Sequence, residues 1–216
     1  MLERVDRGEE QLSRFVRYTQ ADLLEYAPVT REHVGEGGMS LGDLCAAAVE
    51  VSDNTAGNLL LAALGGPPGL TRYCRSLSDE VTRLDRTEPS LNLVGPGEVR
   101  DTTTPAAMLG LMRTILLGNA LSAQSRSRLE TWLVHAKVGA DRIRAGLPPD
   151  WRVGNKTGTG PGGATNDVVI AWPGQGAAPV LIAAYYAGSD APLAERNAVL
   201  AEVGRIVAKS LVAGTR

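Results

Sequence analysis

Apolar residues recur at helical spacing along the first two thirds of the chain and at strand spacing along most of the last third. Leu41, Leu44, Cys45, Ala48 and Val51 line one face of a predicted helix that Ser40 can cap. That helix runs into Ser52-Asp-Asn54, and a second apolar helix over 56–64 begins almost at once. Gly65-Gly-Pro-Pro-Gly69 ends it, and 70–77 reads as a further short helix. Thr104-Pro105 is a cap followed by proline at the first helical position; it opens a helix to about 117, with another over 122–134. Upstream, Leu2, Val5 and Leu12 among charges read as the last turns of a helix, with Gly8 as its stop. A short extended piece at 15–18 and a polar loop over 19–38 follow.

Strand periodicity takes over at 151–157, 167–172 and 179–186, and the glycine-rich and Trp-Pro-Gly connections suit antiparallel hairpins. An amphipathic helix over 191–212 closes the chain, with Val199, Leu200, Val203, Ile206, Val207 and Leu211 expected on its inner face. A helical block followed by a small antiparallel sheet with a helix on it is an α+β fold. The expected organisation is a single domain over 1–216, mainly helical over 1–150, with the sheet and terminal helix over 151–216.

Composition narrows the partners. With 216 residues and 44% apolar content the chain can build a substantial core. A net charge of −2, without a basic stripe, argues against nucleic acid. No apolar run reaches the length of a membrane span, and Met-Leu-Glu-Arg-Val-Asp-Arg is not a signal peptide. His33 and His135 lack Cys or His neighbours at ligand spacing, so no metal site or cofactor is expected. Cys45 and Cys74 lie in apolar helical stretches and read as buried thiols, with one disulfide left open.

Chemistry concentrates in three places. Trp151-Arg-Val-Gly-Asn-Lys-Thr-Gly-Thr-Gly160 reads as an edge strand whose glycines open the backbone to a ligand. Lys156 supplies a cation there, and Thr157 and Thr159 supply hydroxyls, together a carboxylate clamp; a surface hairpin is the plain alternative. Ser52-Asp-Asn54 sits at a helix junction, where it serves as a capping turn or as a proton-relaying hydroxyl beside a substrate-gripping amide. Glu88-Pro-Ser-Leu-Asn92 lies in a long polar loop, 82–103, of Ω type. A carboxylate and an amide four residues apart can share one water in general-base geometry. Pro89 fixes the backbone there, with a cis bond as one option. Arg86 and Asp101 bracket the loop and can close it by an ion pair, with Leu84, Leu91, Leu93 and Val94 available to pack. A solvated loop glutamate is the alternative.

Taken in order, Ser52-Asp-Asn, Glu88-x-x-x-Asn92 and Lys156-Thr-Gly resemble the class A serine β-lactamases. The resemblance extends over nearly the whole chain, through Tyr26-Ala-Pro-Val-Thr30, Thr82-Arg-Leu-Asp-Arg86 and Arg100-Asp-Thr-Thr103. It implies the β-lactamase and penicillin-binding-protein transpeptidase-like fold and hydrolysis of penicillins or cephalosporins through a serine acyl-enzyme. Ser52 then passes a proton to the departing nitrogen, and Glu88 with Asn92 activates the deacylating water. Lys156, Thr157, Gly158 and Thr159 bind the substrate carboxylate, with the Thr159 amide as half of the oxyanion hole. Tyr26 flanks the mouth and Asn54 takes the acylamide. Thr165-Asn-Asp stands where many members carry an arginine, and Arg142 is the candidate replacement, set against an ordinary exposed helix arginine. The resemblance further implies a monomer, secreted or periplasmic, acting on small β-lactam antibiotics.

One departure matters. The family's nucleophile lies in Ser-x-x-Lys, and the residues three before Lys137, Lys156 and Lys209 are Val134, Val153 and Ile206. Without that serine no acyl-enzyme forms. The expectation is an N-terminally truncated class A β-lactamase, also short of the family's first helix and first two strands. Expressed alone, such a chain is expected to be poorly soluble or partly folded, and inactive. A non-catalytic β-lactam-recognition or sensor module is the alternative, and a DD-peptidase relative fits less well because such peptidases lack the Glu88 loop.

Overall fold

The computed structural model describes residues 1–93, 95, 97–174 and 176–213, the last two of these through the backbone alone. The architecture is α+β, in two compact units, Met1–Trp132 and Leu133–Arg216.

In the first unit, helix α1 (Leu2–Asp6) is followed by Gly8 in the left-handed region, at φ 74°. Strand β1 (Phe15–Arg17) pairs antiparallel with β2 (Gly38–Ser40). The stretch between them, expected as a loop, holds the one-turn helix α2 (Thr30–His33) flanked by 3-10 turns at Gln20–Asp22 and Val34–Glu36. A single turn has no room for a hydrophobic repeat, so periodicity cannot reveal it.

Helix α3 (Leu41–Glu50) starts where Ser40 Oγ accepts from the Asp43 amide, and it buries Leu41, Leu44, Cys45 and Ala47. Helices α4 (Asn54–Ala63) and α5 (Gly66–Ser76) follow. α5 begins before the expected position because Pro67 and Pro68 lie in its first turn, where no intrahelical N–H is required. Helix α6 (Pro105–Met112) is capped by Thr104 Oγ1 on the Ala107 amide and runs on as a π-helical turn, Arg113–Leu117. Helix α7 is Ala123–Val134; the Asp6 carboxylate fixes its start, accepting from Ser122 N at 2.7 Å and Ser125 Oγ at 2.6 Å. One core cluster gathers Tyr18, Met39, Leu44, Ala47 and Ala56, and another Leu2, Cys45, Leu121 and Trp132. Cys45 and Cys74 are free and buried, and burial pushes the Cys45 thiol up to about 11.

The segment joining α5 to α6 is fixed mainly by polar contacts. Asp79 Oδ1 accepts from the amides of Val81 and Thr82, and Thr71 Oγ1 exchanges hydrogen bonds with the Leu84 amide and carbonyl. The expected leucine packing is only partial: Leu84 and Leu91 are half-buried, Leu93 is 60% exposed, and Val94 lies outside the described residues.

The second unit starts upstream of 151 because the residues before the sheet already belong to its packing. Asn155 Nδ2 donates to the Val138 carbonyl, and Ile143 and Leu147 sit in the sheet's core. After the short helix α8 (Ile143–Gly146) come β3 (Arg152–Thr159), β4 (Thr165–Trp172) and β5 (Val180–Tyr186), antiparallel in the order β3-β4-β5. Helix α9 (Leu193–Ala213) and α8 pack on one sheet face around Ile143, Val153, Val169, Ala171, Ile182, Leu200 and Ala208. α8 and α9 approach at two glycines. A Cβ on Gly146 would come within 1.8 Å of the Ala201 carbonyl oxygen, and one on Gly204 within 2.3 Å of that of Ile143.

This close approach corrects the expected face of α9. The buried stripe is Asn197, Leu200, Ala201, Gly204 and Ala208, flanked by Val203 and Val207, whereas Val199, Ile206 and Leu211 are exposed. Small residues join Leu200 on the inner face, because backbone contact with α8 at Gly204 leaves no space for a larger side chain there. No helix of the described residues is long and apolar enough to cross a membrane.

Candidate active site

Ser52 occupies the left-handed region at φ 60°, a conformation that a non-glycine residue adopts at some cost and that often marks functional turns. What holds it is Asp53, 1% exposed. Its Oδ1 accepts from Ala56 N at 2.9 Å, capping α4, while Oδ2 accepts from Val29 N at 3.0 Å and Thr30 N at 2.9 Å. Thr30 Oγ1 donates to the same carboxylate. Asp53 thus ties the start of α4 to α2, and Ser52 and Asn54 flank that knot. The Asn54 amide donates to the Tyr26 carbonyl at 3.0 Å. Tyr26 and Asn54 line a cavity of about 320 Å3 with Leu24, Glu25 and Pro89.

Glu88 is set by α4 as well. Asn58 accepts from the Glu88 amide at 2.9 Å and donates to its carbonyl at 3.0 Å. Asn92, at the end of the 3-10 turn Ser90–Asn92, donates from Nδ2 to Glu88 Oε2 at 2.6 Å. The Glu88–Pro89 bond is cis. The carboxylate of Asp101 pairs with Arg86 and accepts from the amides of Asp85 and Arg86, the latter at 2.9 Å, which draws the two ends of the loop together. Both this pair and the Glu88–Asn92 contact join residues singled out in the sequence.

In the second unit, Lys156 Nζ donates to the Thr157 carbonyl at 2.9 Å on edge strand β3. Thr157 and Thr159 lie on one face of the sheet, opposite Asp167 and Thr165 in β4. A Cβ on Gly158 would make only an ordinary contact, 3.6 Å from Asn166, whereas Gly162 and Gly163 are needed by the turn, at φ 67° and 75°. Arg142, the residue preceding α8, is buried, not the exposed helix arginine that was the alternative. Its guanidinium donates to Thr159 Oγ1 at 2.6 Å, to the carbonyls of Gly158 at 2.9 Å and Asn166 at 2.7 Å, and to Asn197 Oδ1 at 3.1 Å. It therefore braces the end of β3 from behind. Burial lowers the guanidinium pKa, and the charges of Asp167 and Asp141 oppose the shift.

Several contributing residues were not singled out in the sequence. Asp53 and Asn58 act through partners more than twenty residues away, beyond the reach of local pattern. Half-buried Arg144 and buried Asn155 and Asp167 form a polar group behind β3. Arg144 Nη2 donates to the Val153 carbonyl at 2.8 Å and to Asn155 Oδ1 at 2.9 Å. The one available signal was an aspartate on the strand immediately before the apolar run Val168–Trp172 of β4.

Known proteins resemble this chain along nearly its whole length. The model of a β-lactamase enzyme family matches residues 1–211. The β-lactamase AST-1 of Nocardia asteroides is 50% identical over 196 residues, covering 91% of this chain and 63% of that protein. The chain thus spans less than two thirds of that relative's length. Among solved structures, an ancestral class A β-lactamase (GNCA) superposes with a TM-score of 0.95 at 56% identity, over 97% of this chain and 80% of the other. A variant of the class A enzyme of the last common ancestor of Gram-negative bacteria, bound to the transition-state analogue 5(6)-nitrobenzotriazole, gives 0.96 at 52% identity, over 99% and 80%. Identity at this level along almost the entire chain, with the three motifs in place, makes this chain a member of the class A β-lactamase family.

Proposed function

We propose that this chain serves the hydrolysis of penicillins and cephalosporins outside the cytoplasm, and that its 216 residues supply recognition and deacylation. The observation that carries the reading is the Glu88–Asn92 contact of 2.6 Å, in a loop closed by Arg86 and Asp101. The Asn92 amide fixes the direction of the Glu88 carboxylate, as a general base that activates a water requires. Glu88 takes a proton from that water as its oxygen attacks the acyl-ester carbon, and the serine oxygen leaves. Ser52 returns a proton to the ring nitrogen when the lactam opens. Lys156, Thr157 and Thr159 hold the substrate carboxylate, Arg142 adds charge from behind Thr159, and the Thr159 amide donates to the oxyanion. Tyr26 and Asn54 contact the acylamide side.

No Ser-x-x-Lys occurs in these residues, so in solution this chain alone has no ester to deacylate and is expected not to turn over a β-lactam. The test extends the chain with the part of AST-1 outside the matched segment and follows nitrocefin. Hydrolysis by the extended chain is expected, with deacylation slowed by about 10²–10⁴ in Glu88→Ala and a lasting acyl-enzyme in its mass spectrum. Unchanged deacylation in Glu88→Ala would remove Glu88 from the mechanism.

A second reading, a non-catalytic β-lactam-recognition module, draws support from the braced Thr159 end of β3 in a chain without Ser-x-x-Lys. It predicts saturable, reversible benzylpenicillin binding by the chain alone, and absence of binding by the folded chain rules it out.

A further inference from the structure

Asp167 has no part in the chemistry above, yet it sits at the centre of the polar layer behind β3. It is fully buried and lies directly opposite Thr157 in the β3–β4 register. Its Oδ2 accepts from the Ile143 amide at 3.2 Å, and among the described residues its Oδ1 has no hydrogen-bond partner. Two buried or half-buried guanidinium groups interact with its charge. Arg144 holds the Val153 carbonyl and Asn155 on one side of Lys156-Thr157, and Arg142 holds the Gly158 carbonyl and Thr159 Oγ1 on the other. The two arginines therefore clamp the strand on both sides of its functional residues and share one carboxyl as counter-charge.

We propose that Asp167 is a protonation-dependent positioning residue, whose ionisation sets how much of the Arg142 charge reaches Thr159 and any carboxylate bound there. With Asp167 protonated, only Asp141 of the two carboxylates beside Arg142 still opposes its charge, and more of that charge acts on Thr159. With Asp167 ionised, part of that field is cancelled inside a water-poor layer, where charges are poorly screened. The geometry sets the carboxyl where it can respond to pH: burial is the largest influence and pushes its pKa up to about 7, against the pull of the Ile143 amide and of Arg142, Asn155 and Arg144. The other charged groups of this layer are Asp141, which accepts from Asn197 Nδ2 at 2.5 Å, and Arg196 of α9, which donates to Thr165 Oγ1 at 2.9 Å. The residues opposite Asp167 in the register, Thr157 in β3 and Ala184 in β5, carry no charge.

The significance for substrate rests on the reading of β3 as the carboxylate-holding strand, but the coupling itself is measurable without any β-lactam. Two-dimensional NMR of the full chain, followed from about pH 5 to about pH 9, reports the Arg142 Nε–H and Thr159 amide shifts. Both are expected to move along one curve with a midpoint near neutrality, and to become flat in Asp167→Asn. Arg144→Gln, which removes one stabilising charge but leaves Arg142, is expected to move the midpoint upward. A flat profile in the wild-type chain, a midpoint that persists in Asp167→Asn, or a midpoint unmoved in Arg144→Gln would each overturn the proposal. A purely structural Asp167 gives the flat wild-type profile. Observing the coupled titration in a chain whose extended form fails to hydrolyse β-lactams would sink the proposed function and leave the coupling standing.

Discussion

Asp53 does more for the first unit than either of the neighbours that drew attention in the sequence. It accepts from Ala56, Val29 and Thr30 while fully desolvated, so Asp53→Ala leaves several buried donors without a partner as well as removing a helix cap. A loss of about 3 kcal/mol is expected in urea unfolding, more than a surface cap is worth. The sequence made the capping role readable but not the tie to α2, because Val29 and Thr30 lie 24 and 23 residues away. The same holds for Arg142. Its identity as a candidate cation was readable from the motif pattern, whereas its burial and its four acceptors depend on β4 and α9 folding around it. Cys45 offers a simpler check. With its thiol buried and its pKa near 11, it is expected to resist iodoacetamide at about pH 8 until the chain is unfolded, and rapid native alkylation would contradict that burial.

Among the elements, the α5–α6 loop and the α8–α9 pair show where periodicity succeeds and fails. The loop's length and polarity were plain, and its closing pair, Arg86 and Asp101, was nameable from sequence. The contacts that order it, Asp79 on two amides and Thr71 on Leu84, carry no sequence signature beyond ordinary turn residues. Asp101→Asn removes the nearer of the two carboxylates beside half-buried Arg86, leaving Glu98 at 3.8 Å, and is expected to cost about 2 kcal/mol and to raise amide exchange across 84–92. Wild-type protection there would show that the loop is held some other way. For α9 the hydrophobic repeat placed Leu200, Val203 and Val207 correctly but also counted the exposed Val199, Ile206 and Leu211, and it missed the small residues Ala201, Gly204 and Ala208 that admit α8. Gly146→Ala places a methyl on the Ala201 carbonyl and is expected to destabilise the second unit by about 2 kcal/mol, whereas Ala substitution at the exposed Val199 is expected to change stability by less than about 0.5 kcal/mol.

At the scale of the whole molecule, charge and apolar surface set the solution behaviour. Val199 and Ile206, seven residues apart, expose apolar side chains on the outer face of α9, so self-association is expected at high concentration, and Ile206→Glu is expected to shift light scattering toward the monomer. In that variant, the pH dependence of stability can be read cleanly. An unfolded aspartate titrates near about 3.9, while Asp167 in the fold is raised to about 7, so its contribution is full below about pH 4 and is lost as pH rises through about 7. Asp85 and Glu98, held near 2 by Arg83 and Arg100, act oppositely and lose their contribution as pH falls toward 2. Urea midpoints are therefore expected to peak in the mildly acid range and decline toward neutrality, and Asp167→Asn to remove the decline. The central claim, that these residues recognise and deacylate but do not acylate, is tested most directly by intact-protein mass spectrometry after incubation with benzylpenicillin. The 216-residue chain should keep its mass, and the Glu88→Ala form of the chain extended with AST-1 sequence should carry a lasting penicilloyl adduct. An adduct on the former, or none on the latter, would contradict the account.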